Sequence, residues 1–238
     1  MIGFISDMGK KRGINEDYVD YLLSDEFQLY IVADGMGGHN AGEVASRMAV
    51  ETVKGFISDN WNKYDCETLL RYAIAEANKR IIDHAGGNIT LMGMGTTIIA
   101  ALAAGSTVYV ANVGDSAGFL LKEGEISKIT KDHSLVQELV DIGSITEEEA
   151  LTHPRRNIIT RAIGASENLE ADIFKIPNKK ENKFLLCSDG LINEVSKDEI
   201  RDILMKYNNR DAAEQLVLLA NEREGRDNIT VLVFGGEN

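Results

Sequence analysis

The sequence predicts an α+β fold, a layered sandwich of antiparallel sheets with helices outside. Three observations carry this expectation. Strand-like runs cluster with strand-like runs and helical stretches with helical stretches, whereas a parallel sheet would show β-α-β-α alternation. Most of the strand-like runs lack polar alternation, which implies cover on both faces. The 238 residues include only two prolines and no linker or repeat, so a single domain over 1–238 is expected.

Taken in order, the strand-like runs are 27–33, 96–102, 107–113, 119–121, 184–187 and 229–234, rich in Val, Ile, Phe and Tyr and bounded by Gly or Asp. Between the first two runs lie two consecutive helices. Ala45, Ala49, Thr52, Val53 and Phe56 form one apolar stripe, and Leu70, Ala73, Ile74, Ala77 and Ile81 form the next. Later helices are marked by cap pairs: Ser134 with Gln137, Thr146 with Glu149, Ser196 with Glu199, and Asp211 with Glu214. The stretch 132–164 holds short capped helices and the basic piece His153-Pro154-Arg155-Arg156, and reads as a flap leaving the sandwich.

Composition excludes several function classes. Apolar residues make up 44% of the chain, enough for a sizeable core. Against 25 Lys and Arg stand 38 Asp and Glu, a net charge of −13 that repels nucleic-acid backbones and anionic lipids. The longest apolar run, 98–104, is far short of the roughly 20 residues of a membrane helix, and the start of the chain lacks the basic and apolar regions of a signal peptide. A cytoplasmic, monomeric protein without nucleic-acid or membrane partners is expected. Cys66 and Cys187 read as reduced thiols.

The strongest pattern is aspartate at strand ends. Asp34 follows the run 27–33, Asp115 follows 107–113, Asp189 follows 184–187, and Asp227 precedes 229–234. In antiparallel neighbours such positions meet on one edge, where clustered carboxylates need a cation, and oxygen ligands select Mg²⁺ or Mn²⁺ over zinc. Singly, each Asp is equally a turn residue. The glycine-rich Asp34-Gly35-Met36-Gly37-Gly38-His39 allows backbone to approach a ligand, and Arg12, a residue suited to bidentate phosphate binding, precedes Asn15-Glu16-Asp17.

These segments, with Gly93-Met94-Gly95-Thr96-Thr97, Val113-Gly114-Asp115-Ser116, Ser188-Asp189-Gly190-Leu191 and Asp227-Asn228-Ile229-Thr230, occur in an order that resembles the protein phosphatase 2C family in its compact bacterial form. The resemblance implies a four-layer α-β-β-α sandwich of two antiparallel sheets flanked by helices. It also implies two Mn²⁺ or Mg²⁺ ions and a weaker third, and a protein Ser/Thr phosphatase that hydrolyses phosphoserine and phosphothreonine by direct attack of a metal-bridging water. Carried over by position, Asp34 bridges both ions, Gly35 offers a carbonyl, and Asp189 and Asp227 are direct ligands. Glu16 and Asp17 act through water, Asp115 serves the third ion, and Arg12 binds phosphate. Phosphorylated proteins and a cognate Ser/Thr protein kinase are the implied partners. Hydrolysis of small phosphate esters and a non-catalytic regulatory role are the competing readings, though every expected acid is present.

Other phosphatase chemistries lack their signatures. Neither cysteine has an Arg six residues on, the residue two before Asp34 is Val32 rather than Asp, and no Walker loop exists. Where eukaryotic relatives tend to have a His after Asp-Gly this chain has Met36, and it has Ala117 and Ile192 where many members have Arg and Thr. His39 is a candidate proton donor to the leaving oxygen, with helix capping or a bond to a metal-bound water as the alternatives. His84, His133 and His153 read as ordinary surface residues.

Overall fold

A computed structural model describes residues 2–37, 41–87 and 89–236. The chain opens with β1 (Gly3–Asp7), β2 (Asp17–Leu23) and β3 (Phe27–Met36), then α1 (Ala41–Asn60) and α2 (Cys66–Gly86). Five strands follow: β4 (Gly95–Thr96), β5 (Ile98–Ala104), β6 (Thr107–Val113), β7 (Ala117–Lys122) and β8 (Glu125–Lys128). After α3 (Leu135–Asp141) and α4 (Glu147–Thr152) come β9 (Asp172–Pro177) and β10 (Lys183–Cys187). The chain ends with α5 (Asp189–Ile192), α6 (Lys197–Lys206), α7 (Asn209–Arg223) and β11 (Ile229–Gly235).

The strands form two antiparallel sheets, ordered β1-β11-β10-β7-β8 and β2-β3-β5-β6-β9, with β4 added to β3. The expected α-β-β-α layering is what forms. Alternation along each central strand explains it. In β3, Leu29, Ile31 and Ala33 pack with α1 and α2, while Tyr30 and Val32 enter the layer between the sheets. In β11, Ile229, Val231 and Val233 join α5, α6 and α7, while Leu232 and Phe234 face the other sheet. Each fully buried Leu, Ile or Phe contributes about 1.5–3 kcal/mol, and the apolar residues of these runs find such a site on one side or the other, with Gln28 the one exposed residue of 27–33. Predominantly apolar runs are the consequence.

Both helical stripes land in the core, with Ala45, Ala49, Val53, Leu70, Ala73, Ile74, Ala77 and Ile81 at 0–1% exposure. Ser134 caps α3, and Thr146 with Glu149 forms the full capping box of α4. At α6, Glu199 Oε2 accepts from the Ser196 N–H at 3.0 Å and hydroxyl at 2.5 Å. The α7 start is a correction. Its cap is Asn208, which accepts from the Asp211 N–H at 3.0 Å, so Asp211 is the acid three residues inside the helix rather than the cap. The run 96–102 is also broken, at Thr97, for a reason that belongs to the site.

Within residues 132–164 neither α3 nor α4 buries a residue. The segment is tied by the bridges Ser134–Ile159 and Thr96–Ile163. Among the described residues no helix is long and apolar enough to cross a membrane, and Cys66 and Cys187 are unpaired.

Candidate metal centre

Register places the predicted acids at one end of the sandwich. Cys187, Val231 and Ala117 are aligned across β10, β11 and β7, so the end of β10 and the starts of β7 and β11 coincide. In the other sheet, Asp17 at the start of β2 pairs with Asp34, and Ile98 at the start of β5 pairs with Val113 at the end of β6. Asp34 is not quite a strand end, because β3 continues through Gly35 and Met36 by pairing with β4.

Hydrogen bonds join the two sheets at this end. Ser188 Oγ donates to Asp17 Oδ2 at 2.7 Å, the Glu16 N–H donates to Asn228 Oδ1 at 2.8 Å, and Thr97 Oγ1 lies 2.7 Å from Ser116 Oγ. Thr97 interrupts its strand to brace Asp34: its Oγ1 accepts the Asp34 N–H at 2.9 Å, and its own N–H donates to the Asp34 carbonyl at 2.8 Å. Ser188 in turn accepts the Thr230 N–H at 2.9 Å. Motif serines, threonines and asparagines thus hold the acids in position, a role that the acid-centred reading of the sequence did not assign.

Close backbone approach accounts for Gly35. A Cβ there would lie 2.1 Å from the Gly42 carbonyl oxygen and 2.6 Å from that of Glu16. Gly42, in the first turn of α1, donates its N–H to the Glu16 carboxylate, and Ser46 Oγ donates to the Glu16 carbonyl at 2.6 Å. The α1 N-terminus therefore holds Glu16 beside the sheet edge.

The carboxylates form one electrostatic unit. Burial, then repulsion from Asp189 and Asp227, pushes Asp17 up to about 7. Asp34 is raised well above the usual range by burial and by Asp17, Asp189, Asp115 and Asp227. Burial and the neighbouring acids lift Asp115 to about 7 and Asp189 to about 6. Glu16 is raised chiefly by burial. Arg12 Nη2 donates to Asp227 Oδ2 at 2.8 Å, and Asn193 Nδ2 to Asp189 Oδ2 at 3.0 Å.

Among the described residues no group of three or more His, Cys, Asp or Glu side chains is closed into a ligand cage. The donor set nevertheless fits a hard divalent cation. Asp17 Oδ1, Asp115 Oδ1 and Asp189 Oδ1 are buried and accept from nothing, an arrangement that costs stability unless a cation meets them. All the candidate donors are oxygens, the set that suits Mg²⁺ or Mn²⁺.

The remaining candidates divide. His39 lies outside the described residues. His84 is exposed and His153 half-buried, but His133 is 7% exposed and contradicts the surface expectation. It is held inward by hydrogen bonds to the turn before Asp115, a contact that a loop histidine in a single sequence does not announce. Cys187 is buried and its thiol is pushed up to about 12 by desolvation, which removes it as a nucleophile at neutral pH.

A protein phosphatase 2C family model matches residues 10–222. The "Serine/threonine phosphatase stp" of Listeria welshimeri is 44% identical over 239 residues, covering 97% of this chain and 93% of that protein. The crystal structure of the Mycobacterium tuberculosis serine/threonine phosphatase PstP/Ppp matches with a TM-score of 0.92 at 38% identity, covering 100% of this chain and 99% of that one. The catalytic domain of PstP in complex with two manganese ions matches at 0.89 and 36%, covering 100% and 98%. Sequence motifs, a full-length relative and a shared architecture are separate kinds of likeness, and together they establish that this chain belongs to the protein phosphatase 2C family.

Proposed function

We propose that the chain is a Mn²⁺- or Mg²⁺-dependent protein Ser/Thr phosphatase that hydrolyses phosphoserine and phosphothreonine directly, without a covalent enzyme intermediate. The observation that carries this reading is the set of buried, partnerless carboxylate oxygens on Asp17, Asp115 and Asp189 at one sheet edge, with Arg12 beside them. Asp34, Asp189, Asp227 and the Gly35 carbonyl would hold two ions, Glu16 and Asp17 would support them through water, and Asp115 with Asp189 would hold a weaker third. When bound, the ions supply an activated water and the positive charge that in-line displacement at phosphorus requires.

The chain's own groups supply the rest. Thr97 and Ser188 fix Asp34 and Asp17, so little reorganisation accompanies the reaction. The guanidinium of Arg12, about half exposed, remains open to a phosphoryl group on the side away from Asp227. His39 is assigned the proton donated to the leaving serine or threonine oxygen. The flap at 132–164 would cover the bound phosphopeptide, within a single phosphatase domain spanning 1–238. Phosphoproteins and a cognate Ser/Thr protein kinase are the partners of this reading, which takes the enzyme to act in the cytoplasm as a monomer.

The test is hydrolysis of a phosphothreonine peptide and of a sugar phosphate with Mn²⁺, with Mg²⁺ and with excess chelator. Metal-dependent turnover that favours the peptide is expected. Undiminished activity after prolonged chelation would overturn the metal requirement, and preference for the sugar phosphate would overturn the substrate class.

A further inference from the structure

His133 is buried and enters none of the chemistry above. It begins the flap, and both its backbone and its ring engage the turn that carries Asp115. The His133 N–H donates to the Gly114 carbonyl at 2.9 Å, and the Gly114 N–H donates to His133 Nδ1 at 3.0 Å. An accepting Nδ1 puts the ring proton on Nε2, which faces Asp172 Oδ2 at 3.3 Å. Asp172 is itself held: Arg161 Nη1 donates to its Oδ1 at 2.9 Å and to the Glu170 carbonyl at 3.1 Å, while lying 3.0 Å from His133 Nε2. Burial and this guanidinium disfavour a second proton on the ring, against the pull of Asp172, and the balance lowers its pKa.

The turn is gripped from its other side as well. Gly114 has φ +105°, a conformation side chains avoid, and a Cβ there would meet Thr97 Cγ2 at 2.6 Å. That is the Thr97 that braces Asp34. Asn112 Nδ2 donates to the Gly114 carbonyl at 3.2 Å. Gly114 is thus enclosed between Thr97 and His133, and the next residue presents the partnerless Oδ1 of Asp115.

We propose that His133 is a positioning residue of the phosphatase. By accepting the Gly114 N–H at Nδ1, with its ring oriented by Asp172, it fixes the turn from which Asp115 presents its carboxylate to the weakly held outer cation. It touches no substrate and acts through Asp115, so the inference rests on the assignment of Asp115 to that cation. Supporting partners of this kind change metal affinity about 10- to 100-fold.

The experiment compares wild type with Asp115→Asn, His133→Ala and His133→Asn. Asn carries its Oδ1 where the ring carries Nδ1, so it can accept the Gly114 N–H but cannot reach Asp172. Mn²⁺ binding is followed by calorimetry, and hydrolysis of an aryl phosphate is followed against Mn²⁺ concentration. In His133→Ala the tight binding steps should persist while the weakest step, and the midpoint of the high-metal activation, weaken about tenfold. His133→Asn should recover most of that loss, and Asp115→Asn should lack the weakest step altogether. If His133→Ala unfolds, His133→Leu replaces it with the same expectation. Unchanged weak binding in the Ala or Leu variant overturns the proposal. So does an Asn variant as impaired as Ala with wild-type thermal stability, which would reduce His133 to packing. Weak binding retained in Asp115→Asn would instead refute the outer-ion assignment of Asp115.

Discussion

Asp17 and Asp34 face each other as a direct pair across the β2–β3 ladder. Like charges opposed in this way destabilise a sheet, and here both are raised, Asp17 by burial and by Asp189 and Asp227, Asp34 by burial and by Asp17 and the other acids. A sheet built only for stability would not hold this pair. Its cost has a pH signature.

With chelator present, the fold should be more stable at pH 5.5 than at pH 7.5. Asp17 and Asp115 are raised to about 7 and Asp189 to about 6, from an ordinary 3.8. Their penalty is therefore absent below the unfolded pKa, grows as pH rises, and is complete above the folded pKa. In that window the folded chain binds more protons than the unfolded one, so stability falls by about 1.4 kcal/mol per pH unit for each extra proton. Glu199, lowered to about 2, acts in the opposite sense only below its ordinary value, and His133, lowered from 6.5, opposes the trend in the lower part of the window as one group against these three carboxylates. Thermal melts across this range check the slope, which saturating Mn²⁺ should flatten. A chelated protein that loses stability on going from pH 7.5 to 5.5 would contradict the repulsion.

Asp34→Asn, Asp189→Asn and Asp227→Asn should each lower metal-dependent turnover at least about 100-fold while leaving chelated stability equal or higher. An amide keeps the size of the side chain and removes one charge from the repelling set, so loss of function and gain of stability should run together. Melting curves beside kinetics decide this. Inactivity accompanied by a large drop in melting temperature would assign these aspartates to folding.

Arg12→Ala should raise KM for a phosphopeptide about tenfold or more, with a further loss in kcat if the guanidinium contact tightens as the bond breaks. Because Arg12 is paired with Asp227, its removal frees that carboxylate and should not weaken Mn²⁺ binding. Calorimetry alongside steady-state kinetics separates the two. Weaker metal binding with unchanged KM would place Arg12 in the metal site.

How much of this was legible in the sequence follows from where water reaches. The central strands are readable because both faces are largely buried and most of their residues are apolar. The strands β1, β2, β8 and β9 carry no such signal, and they are the four outer strands of the two sheets. β2 opens with the buried site acid Asp17 and carries the half-buried Asp20, and β8 buries only Ile126, so neither shows an apolar run. The acids of the site were readable by type and by position at strand ends. Their supports were not, because Thr97, Ser188 and Asn228 act through hydrogen bonds between sheets that only the register brings together. The burial of His133 is illegible for the same reason: its partner Gly114 is distant in sequence and adjacent in space.

The two glycines of α1 provide an internal control for the role of its N-terminus. Gly→Ala inside a helix ordinarily stabilises by about 0.5–1 kcal/mol. Gly55 has nothing within 4 Å of an added Cβ, so Gly55→Ala should show that gain and leave activity alone. At Gly42 the same methyl would lie 2.4 Å from Glu16 Oε1 and 2.8 Å from the Gly35 carbonyl carbon. Gly42→Ala must therefore push Glu16 and the Asp34-Gly35 backbone away from the sheet edge. Stability should stay level or fall despite the helix propensity, and Mn²⁺ affinity and turnover should drop together, by about tenfold or more. Melting temperatures, Mn²⁺ calorimetry and kinetics of the two variants side by side decide it. A Gly42→Ala protein as stabilised and as active as Gly55→Ala would show that α1 does not set the position of Glu16.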